Sequence, residues 1–575
     1  MKKTLSYLKS YKKECILAPL FKLLEACFEL FVPLVIADII DIGISGGNKG
    51  YVWGRVGILA LLAVCGLAFA ITAQYFAAKA AVGFASKLRH ALFTRIQSLS
   101  YADTDKLGTS TLITRMTADV EQVQQGVNMV LRLLLRSPFV VFGAAIMAFT
   151  VDAKSAVTFA VTIPVMSAAV MTIMLITIPL YKKVQAKLDS LLGITRENLS
   201  GVRVIRAFRK ENAEYERFVS TNGDLTRSQK FVGRISALLN PLTYVLINCG
   251  VIALIWVGAL RVNSGTISQG QVVALYNYMS QILVELVKLA MLIITLTRAV
   301  ACAKRVDGVL TTENSMTENG DKEQKHTVIG GDVEFDGVEL TYPEAGAPSL
   351  SGVNFYAPSG STVGVIGGTG SGKTSLVNLI PRFYDVTKGC VKVGGTDVQK
   401  LDAETLRKNI GIVPQRAALF KGTIRSNLLW GKEDATDEEL WEALKTAQSE
   451  NVALDKGGLD AEVEQEGRNF SGGQRQRLTV ARALVRKPKI LILDDSASAL
   501  DLKTDAALRE AISKLDYNPP VFIVSQRAAA VMNAQLIVVL DEGAVVGMGT
   551  HDELMKTCPA YEEIYSSQFK KEADR

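Results

Sequence analysis

Histidine is nearly missing: the chain has three in 575 residues, His90, His326 and His551, far apart in the sequence. Its seven cysteines (15, 27, 65, 249, 302, 390 and 558) form no CxxC pair or other ligand spacing. That excludes a zinc site and a disulfide framework, and they read as reduced packing residues. Aromatic residues make up only 7%, too few for an evident drug-binding cage. No cleavable signal is visible, and MKKTLSYLKSYKKE at the N-terminus reads as an amphipathic helix on a membrane surface.

Long apolar runs are abundant and lie on one side of the chain. Hydrophobic residues make up 49%, and their excess falls before about Ala303. Stretches that reach the roughly 20 residues needed to cross a bilayer occur near Cys15 to Ile42, Val52 to Ala81, Val127 to Thr150, Ala156 to Tyr181, Pro241 to Val262 and Val272 to Leu296. Six spans with the N-terminus inside place 22 cations in inner segments against two, Lys49 and Lys154, outside. This orientation follows the positive-inside rule. The net charge of +7 is therefore a matter of topology, and no nucleic acid is expected as a partner. The predicted domains are a transmembrane domain over 1–310, a polar linker over 311–327 and a soluble α/β domain over 328–575.

The α/β part carries the chemistry. After the strand-like STVGVI comes GGTGSGKTS, a phosphate-binding loop: Gly367, Gly368, Thr369, Gly370, Ser371, Gly372, Lys373, Thr374 and Ser375. Its glycines let backbone N–H groups turn in around phosphates, Lys373 reaches the β and γ phosphates, and Thr374 holds Mg2+. KILILDD reads as a buried parallel strand that delivers Asp494 to the sheet edge beside that loop, where a carboxylate can orient the same metal.

Between these elements stands NFSGGQRQRLTVARAL, with Ser471, Gly472, Gly473 and Gln474 opening a basic helix. SGGQ in this company resembles the signature of ABC transporter ATPases, and the whole chain resembles a half-transporter of the exporter type. The resemblance implies a membrane α-helical domain of six spans fused to a P-loop ABC ATPase domain. It implies Tyr342 for adenine stacking, Gln415 as a Q-loop residue on ATP and Mg2+, and Ser498 to Asp501 as the D-loop, with Asp501 its acidic member. The signature is expected to face ATP held by a partner half-transporter. The segments Phe93 to Val120 and GVRVIRAFRKE resemble intracellular loops that carry force.

Two residues depart from the family pattern: Asp495 stands where Glu is the usual base, and Gln526 where the switch His is usual. An Asp carboxylate is drawn back by about 1.5 Å, and about 1 Å of misplacement can cost about 100-fold. Gln526 can hydrogen-bond phosphate without an imidazolium charge. The expectation is a hydrolytically degenerate site in one subunit of a bacterial heterodimeric multidrug exporter, which moves lipophilic small molecules across the cell membrane among its lipids. The alternatives are a homodimeric exporter using Asp495 as base and a fused importer of the siderophore type. Within the spans, Glu285 and Lys288 lie on one helix face as a candidate cavity lining or an ion pair, and Lys22, Glu25 and Glu29 share the first span.

Overall fold

The computed structural model describes residues 2–316, 330–342, 345–496 and 499–573. Most of the expected linker, from 317 on, and Ser498 of the expected D-loop lie outside the described residues. The chain forms two compact units, Met1–Gln97 with Ser110–Thr312, and Ser98–Thr109 with Glu313–Arg575.

The first unit is all helical. Lys49–Ser98 runs for 50 residues and Ala153–Ser200 for 48, about 75 and 72 Å at 1.5 Å per residue. Each is far longer than a bilayer core of about 30 Å. Among the described residues five helices are long and apolar enough to cross a membrane. The remaining stretch expected to span forms a helix over Lys12–Asp38, but Lys22, Glu25, Glu29 and Asp38 keep it from matching the apolarity of the other five. Small residues set the packing. Ala73, Ala77, Ala80, Ala81 and Phe84 are fully or almost fully buried along one side of Lys49–Ser98, a spacing that lets helix backbones approach closely. A second cluster gathers Leu30, Ala144, Phe159, Leu254, Leu275 and Tyr278. The Tyr278 hydroxyl donates to the Leu30 carbonyl at 2.7 Å, so its polar tip is satisfied inside that core. At the turn between Arg136–Val151 and Ala153–Ser200, Asp152 caps the second helix through Ser155 N (2.9 Å) and takes both arms of Arg261 at 2.6 and 3.2 Å.

Among the described residues the second unit has twelve strands: β1 Val333–Leu340, β2 Leu350–Ala357, β3 Thr362–Gly367, β4 Lys388–Val393, β5 Thr396–Asp397, β6 Ile410–Val413, β7 Gly422–Thr423, β8 Glu462–Val463, β9 Ile490–Asp494, β10 Val521–Ser525, β11 Leu536–Asp541 and β12 Ala544–Gly549. Ten join one sheet in the order β5-β4-β1-β2-β12-β11-β3-β10-β9-β6, and β7 pairs with β8 alone. Strands β11, β3, β10, β9 and β6 are parallel. Every residue of β9 and β10 is buried, which explains their unbroken apolar runs. The short helix Tyr101–Leu107 belongs to this unit although its neighbours in sequence do not. Its Tyr101 ring lies 4.5 Å from that of Phe383, and Asp105 accepts from the Tyr384 hydroxyl at 2.8 Å. Burial and the neighbouring Asp105 push the Tyr384 phenol well above its ordinary range.

Candidate functional site

Sheet order brings the motifs together. β3 ends at Gly367, its neighbour β10 at Ser525, and the next strand β9 at Asp494, so three carboxyl ends open on one edge. The loop after β3 enters the helix Lys373–Leu379 through Gly372, whose φ of 94° lies in the left-handed region. A cleft of about 460 Å³ runs over this edge and is lined by Lys373, Thr374, Gln415, Asp494, Asp495 and Gln526. Thr369, Gly370, Gly372 and Ser375 also face it, and Ser371 is 4% exposed within the loop.

The polar contacts are specific. The Lys373 ammonium donates to the carbonyls of Gly367 at 2.9 Å and Gly368 at 2.6 Å. Burial pulls its pKa down, while the charges of Asp495 and Asp494 act the other way. Thr374 Oγ1 donates to Asp494 Oδ1 at 3.1 Å. Burial pushes the Asp494 carboxyl up, and the like charge of Asp495 adds to it. A hydroxyl and a carboxylate whose charge is costly in place make an oxygen donor pair suited to a hard cation such as Mg2+.

Asp495 has a φ of 46°, a left-handed conformation in which Asp is several-fold enriched among residues other than Gly. Its N–H donates to Val524 O at 3.0 Å, and Gln415 Nε2 donates to its Oδ2 at 3.4 Å. The turn at Gln526 is held by Gln568, whose Nε2 donates to the Gln526 carbonyl and whose Oε1 accepts from Ala528 N, both at 2.8 Å. Gln568 lies 42 residues away and no motif marks it. Tyr342 lies beside the cleft: its hydroxyl donates to Ser375 Oγ at 2.9 Å and its ring meets that of Tyr384 edge-on at 5.0 Å.

The signature lies elsewhere. Ser471 caps the helix Gly472–Val485 in a reciprocal box with Gln474, and Ser471 and Gly472 are exposed. Gly472 lines a second cleft, of about 630 Å³, with Arg475 and Ala499, and Gln415 is common to both clefts. A Cβ on Gly473 would come within 2.9 Å of the Ala499 carbonyl, so the helix start packs directly on the following loop. Asp501 caps Leu502–Ser513 through Thr504 N at 3.0 Å.

In the membrane unit Lys288 donates to Glu285 at 2.8 Å, so the expected pair forms. Sequence reasoning missed its third member, Arg136, which binds both Glu285 and Glu29. The available signal was an arginine inside the apolar stretch Val127 to Thr150.

Comparison with known proteins finds matches to both halves of the chain. The family described as ABC transporter transmembrane region matches residues 15–286, and that described as ABC transporter matches 350–498. An uncharacterized ABC transporter ATP-binding protein of Mycobacterium tuberculosis is 36% identical over 98% of this chain and 97% of its own length. The uncharacterized ABC transporter ATP-binding protein YfiB of Bacillus subtilis is 37% identical over 100% and 99%. A solved bacterial Atm1-family ABC exporter with ATP bound superposes with a TM-score of 0.81 over 97% of this chain and 98% of its own, at 22% identity, a likeness of fold.

This last match corrects the expectation, drawn from Asp495 and Gln526, of a degenerate-site subunit that needs a different half-transporter as heterodimeric partner. The physical reason lies in the cleft: the shorter carboxylate still lines it beside Lys373 and Thr374, so the departure from Glu leaves a carboxylate there. The chain is a multi-pass membrane protein with a cytoplasmic ATP-hydrolysing domain, and it belongs to the ABC transporter family.

Proposed function

We propose that two copies of this chain form an ATP-driven exporter with two equivalent ATP sites, each using its own Asp495 as base. The observation that carries this is the meeting of Asp495, Lys373, Thr374, Asp494 and Gln526 in one cleft while Ser471 and Gly472 lie exposed in another. One chain holds every part of a hydrolytic site except the signature, and a second copy supplies that.

Lys373 exchanges the carbonyls of Gly367 and Gly368 for phosphate oxygens, a swap of neutral for charge-assisted hydrogen bonds. Tyr342 offers its ring to adenine. Thr374, Asp494 and Gln415 would hold Mg2+, which would supply positive charge against the phosphates. Asp495 takes a proton from the attacking water as its oxygen bonds the γ phosphorus, and the bond to the ADP oxygen breaks. Gln526 orients the γ-phosphate by hydrogen bonding. Ser471 and the N–H groups of Gly472 and Gly473, at the start of a 14-residue helix, stabilise charge on the phosphate held by the other copy.

In the membrane, Lys12–Asp38 completes the six spans of a domain over 1–310, its charges satisfied within the helix (Lys22 with Glu25) and by neighbouring helices (Glu29 with Arg136, Asp38 with Arg55), and the cargo is an apolar or amphipathic small molecule leaving the cell. The test is to purify the chain alone, measure its mass in detergent and its ATPase rate, and follow cargo in inside-out vesicles. A dimer with ATPase activity and ATP-dependent uptake into those vesicles is expected; a monomer without turnover would refute the proposal.

A further inference from the structure

Four side chains in the membrane unit form a row of alternating charge. Arg136 Nη2 donates to Glu29 at 2.7 and 2.9 Å, Arg136 Nη1 donates to Glu285, and Lys288 donates to Glu285 at 2.8 Å. Ser137 Oγ occupies the other Glu285 oxygen at 2.8 Å. The inner pair is buried, Arg136 at 6% and Glu285 at 3% exposure, while the side chains at the ends are open, Glu29 at 44% and Lys288 at 41%. All four line one cavity of about 360 Å³ with an apolar wall that includes Val32, Ile36 and Val140. Two polar atoms of its lining residues have no protein partner among the described residues: Arg136 Nε, a donor, and Gln281 Oε1, an acceptor.

A tie between helices would not need open ends. Removing ions from water costs several kcal/mol each, and ionisable groups within membrane helices mark ligand and ion paths. The row reads minus, plus, minus, plus, and its net charge is zero. A ligand with one charge leaves one end unmatched in a low dielectric. A ligand with both an ammonium and an anionic oxygen group closes the row into a ring, with ammonium on Glu29 and anion on Lys288. The apolar wall takes the ligand's body. We infer that this cavity binds zwitterionic amphiphiles, a headgroup with ammonium and anionic oxygen on a hydrocarbon body. The inference rests on the exporter reading above, because it names the cargo class.

The test uses the full chain in phosphatidylglycerol nanodiscs without nucleotide. Equilibrium binding is measured for lysophosphatidylethanolamine against lysophosphatidylglycerol, and for N-dodecyl-β-alanine against dodecylammonium. The zwitterion of a pair should bind about tenfold tighter, the loss of one charge-assisted contact being worth about that factor. Glu29→Gln and Lys288→Met should each abolish the preference. Preference in both pairs supports the shared chemistry, in the first pair alone a bilayer headgroup, and in the second alone a soluble cargo. Absence of preference in the unmodified chain, or its survival in the Glu29 and Lys288 variants, overturns the inference even if their melting temperatures fall. Because no nucleotide is used, that failure leaves ATPase activity and dimer formation standing, whereas loss of those refutes the exporter reading instead.

Discussion

Alanine placed at three glycines of the phosphate loop should separate three costs. At Gly368 a Cβ meets nothing within 4 Å and the backbone is not left-handed, so Gly368→Ala should leave the nucleotide-free protein within about 0.5 kcal/mol of the parent. Gly370 has a φ of 82° with open space around it, and an L residue there costs about 1–2 kcal/mol. Gly372 combines a φ of 94° with a Cβ that would lie 2.8 Å from the Ser349 carbonyl and 2.9 Å from Leu350 Cδ2. The leucine can rotate, but the carbonyl belongs to the backbone and cannot. Adding an overpacking cost of about 1–3 kcal/mol gives about 2–5 kcal/mol for Gly372→Ala. At about 2–4 °C per kcal/mol for a unit of this size, the cytoplasmic transition should fall by roughly 4–20 °C. Thermal unfolding of the three variants without nucleotide provides the measurement, and Mg-ATP titration shows whether Gly372→Ala also weakens binding at least about tenfold. Equal losses at Gly368 and Gly372 would refute the reasoning, because it assigns the difference to geometry and not to loss of glycine as such.

Other perturbations probe the site and its surroundings. Asp494→Asn should stabilise the nucleotide-free protein at neutral pH while weakening Mg-ATP binding. Burial and Asp495 raise the Asp494 carboxyl above its unfolded value, so its contribution to stability is present below the ordinary carboxylate range and lost as pH rises through the folded pKa. The melting advantage of the variant should therefore grow from acid to neutral pH, and a constant offset would refute this. Gly472→Asp has room for its side chain, the nearest atom to a Cβ being Ala499 Cβ at 3.9 Å. It should fold normally yet remove most ATPase activity by setting a carboxylate against the other copy's γ-phosphate; melting temperature and turnover measured together check it. Arg136→Met takes the guanidinium from Glu285, which keeps Lys288 and Ser137, and should cost less than the roughly 3–5 kcal/mol of a wholly unpaired buried charge, whereas adding Glu285→Met should recover part of the loss, as read by thermal unfolding in nanodiscs.

What the sequence disclosed depended on how local the signal was. Lys373 and Thr374 begin a helix, Asp494 ends a buried strand and Gln526 directly follows one, so short motifs located them and the parallel sheet brought them together. Asp495 was legible as a residue, but its conformation was not: a left-handed backbone and a Gln415 contact 80 residues distant decide where its carboxylate sits. Arg136 escaped notice because its partner Glu285 is 149 residues away, and an arginine inside an apolar run does not reveal which helix faces it. The charges of the first span, Lys22, Glu25 and Glu29, were legible in the sequence, but their partners were not: Lys22 pairs with Glu25 and Glu29 with Arg136.

The central claim is that this chain hydrolyses ATP in pairs of itself with Asp495 as base. The direct measurement is the steady-state ATPase rate of the chain purified alone, compared with that of Asp495→Asn. The account predicts turnover in the unmodified dimer and a loss of at least about 100-fold in the variant, the range for removing a general base. An inactive unmodified chain, or a variant that keeps most of its rate, would contradict it.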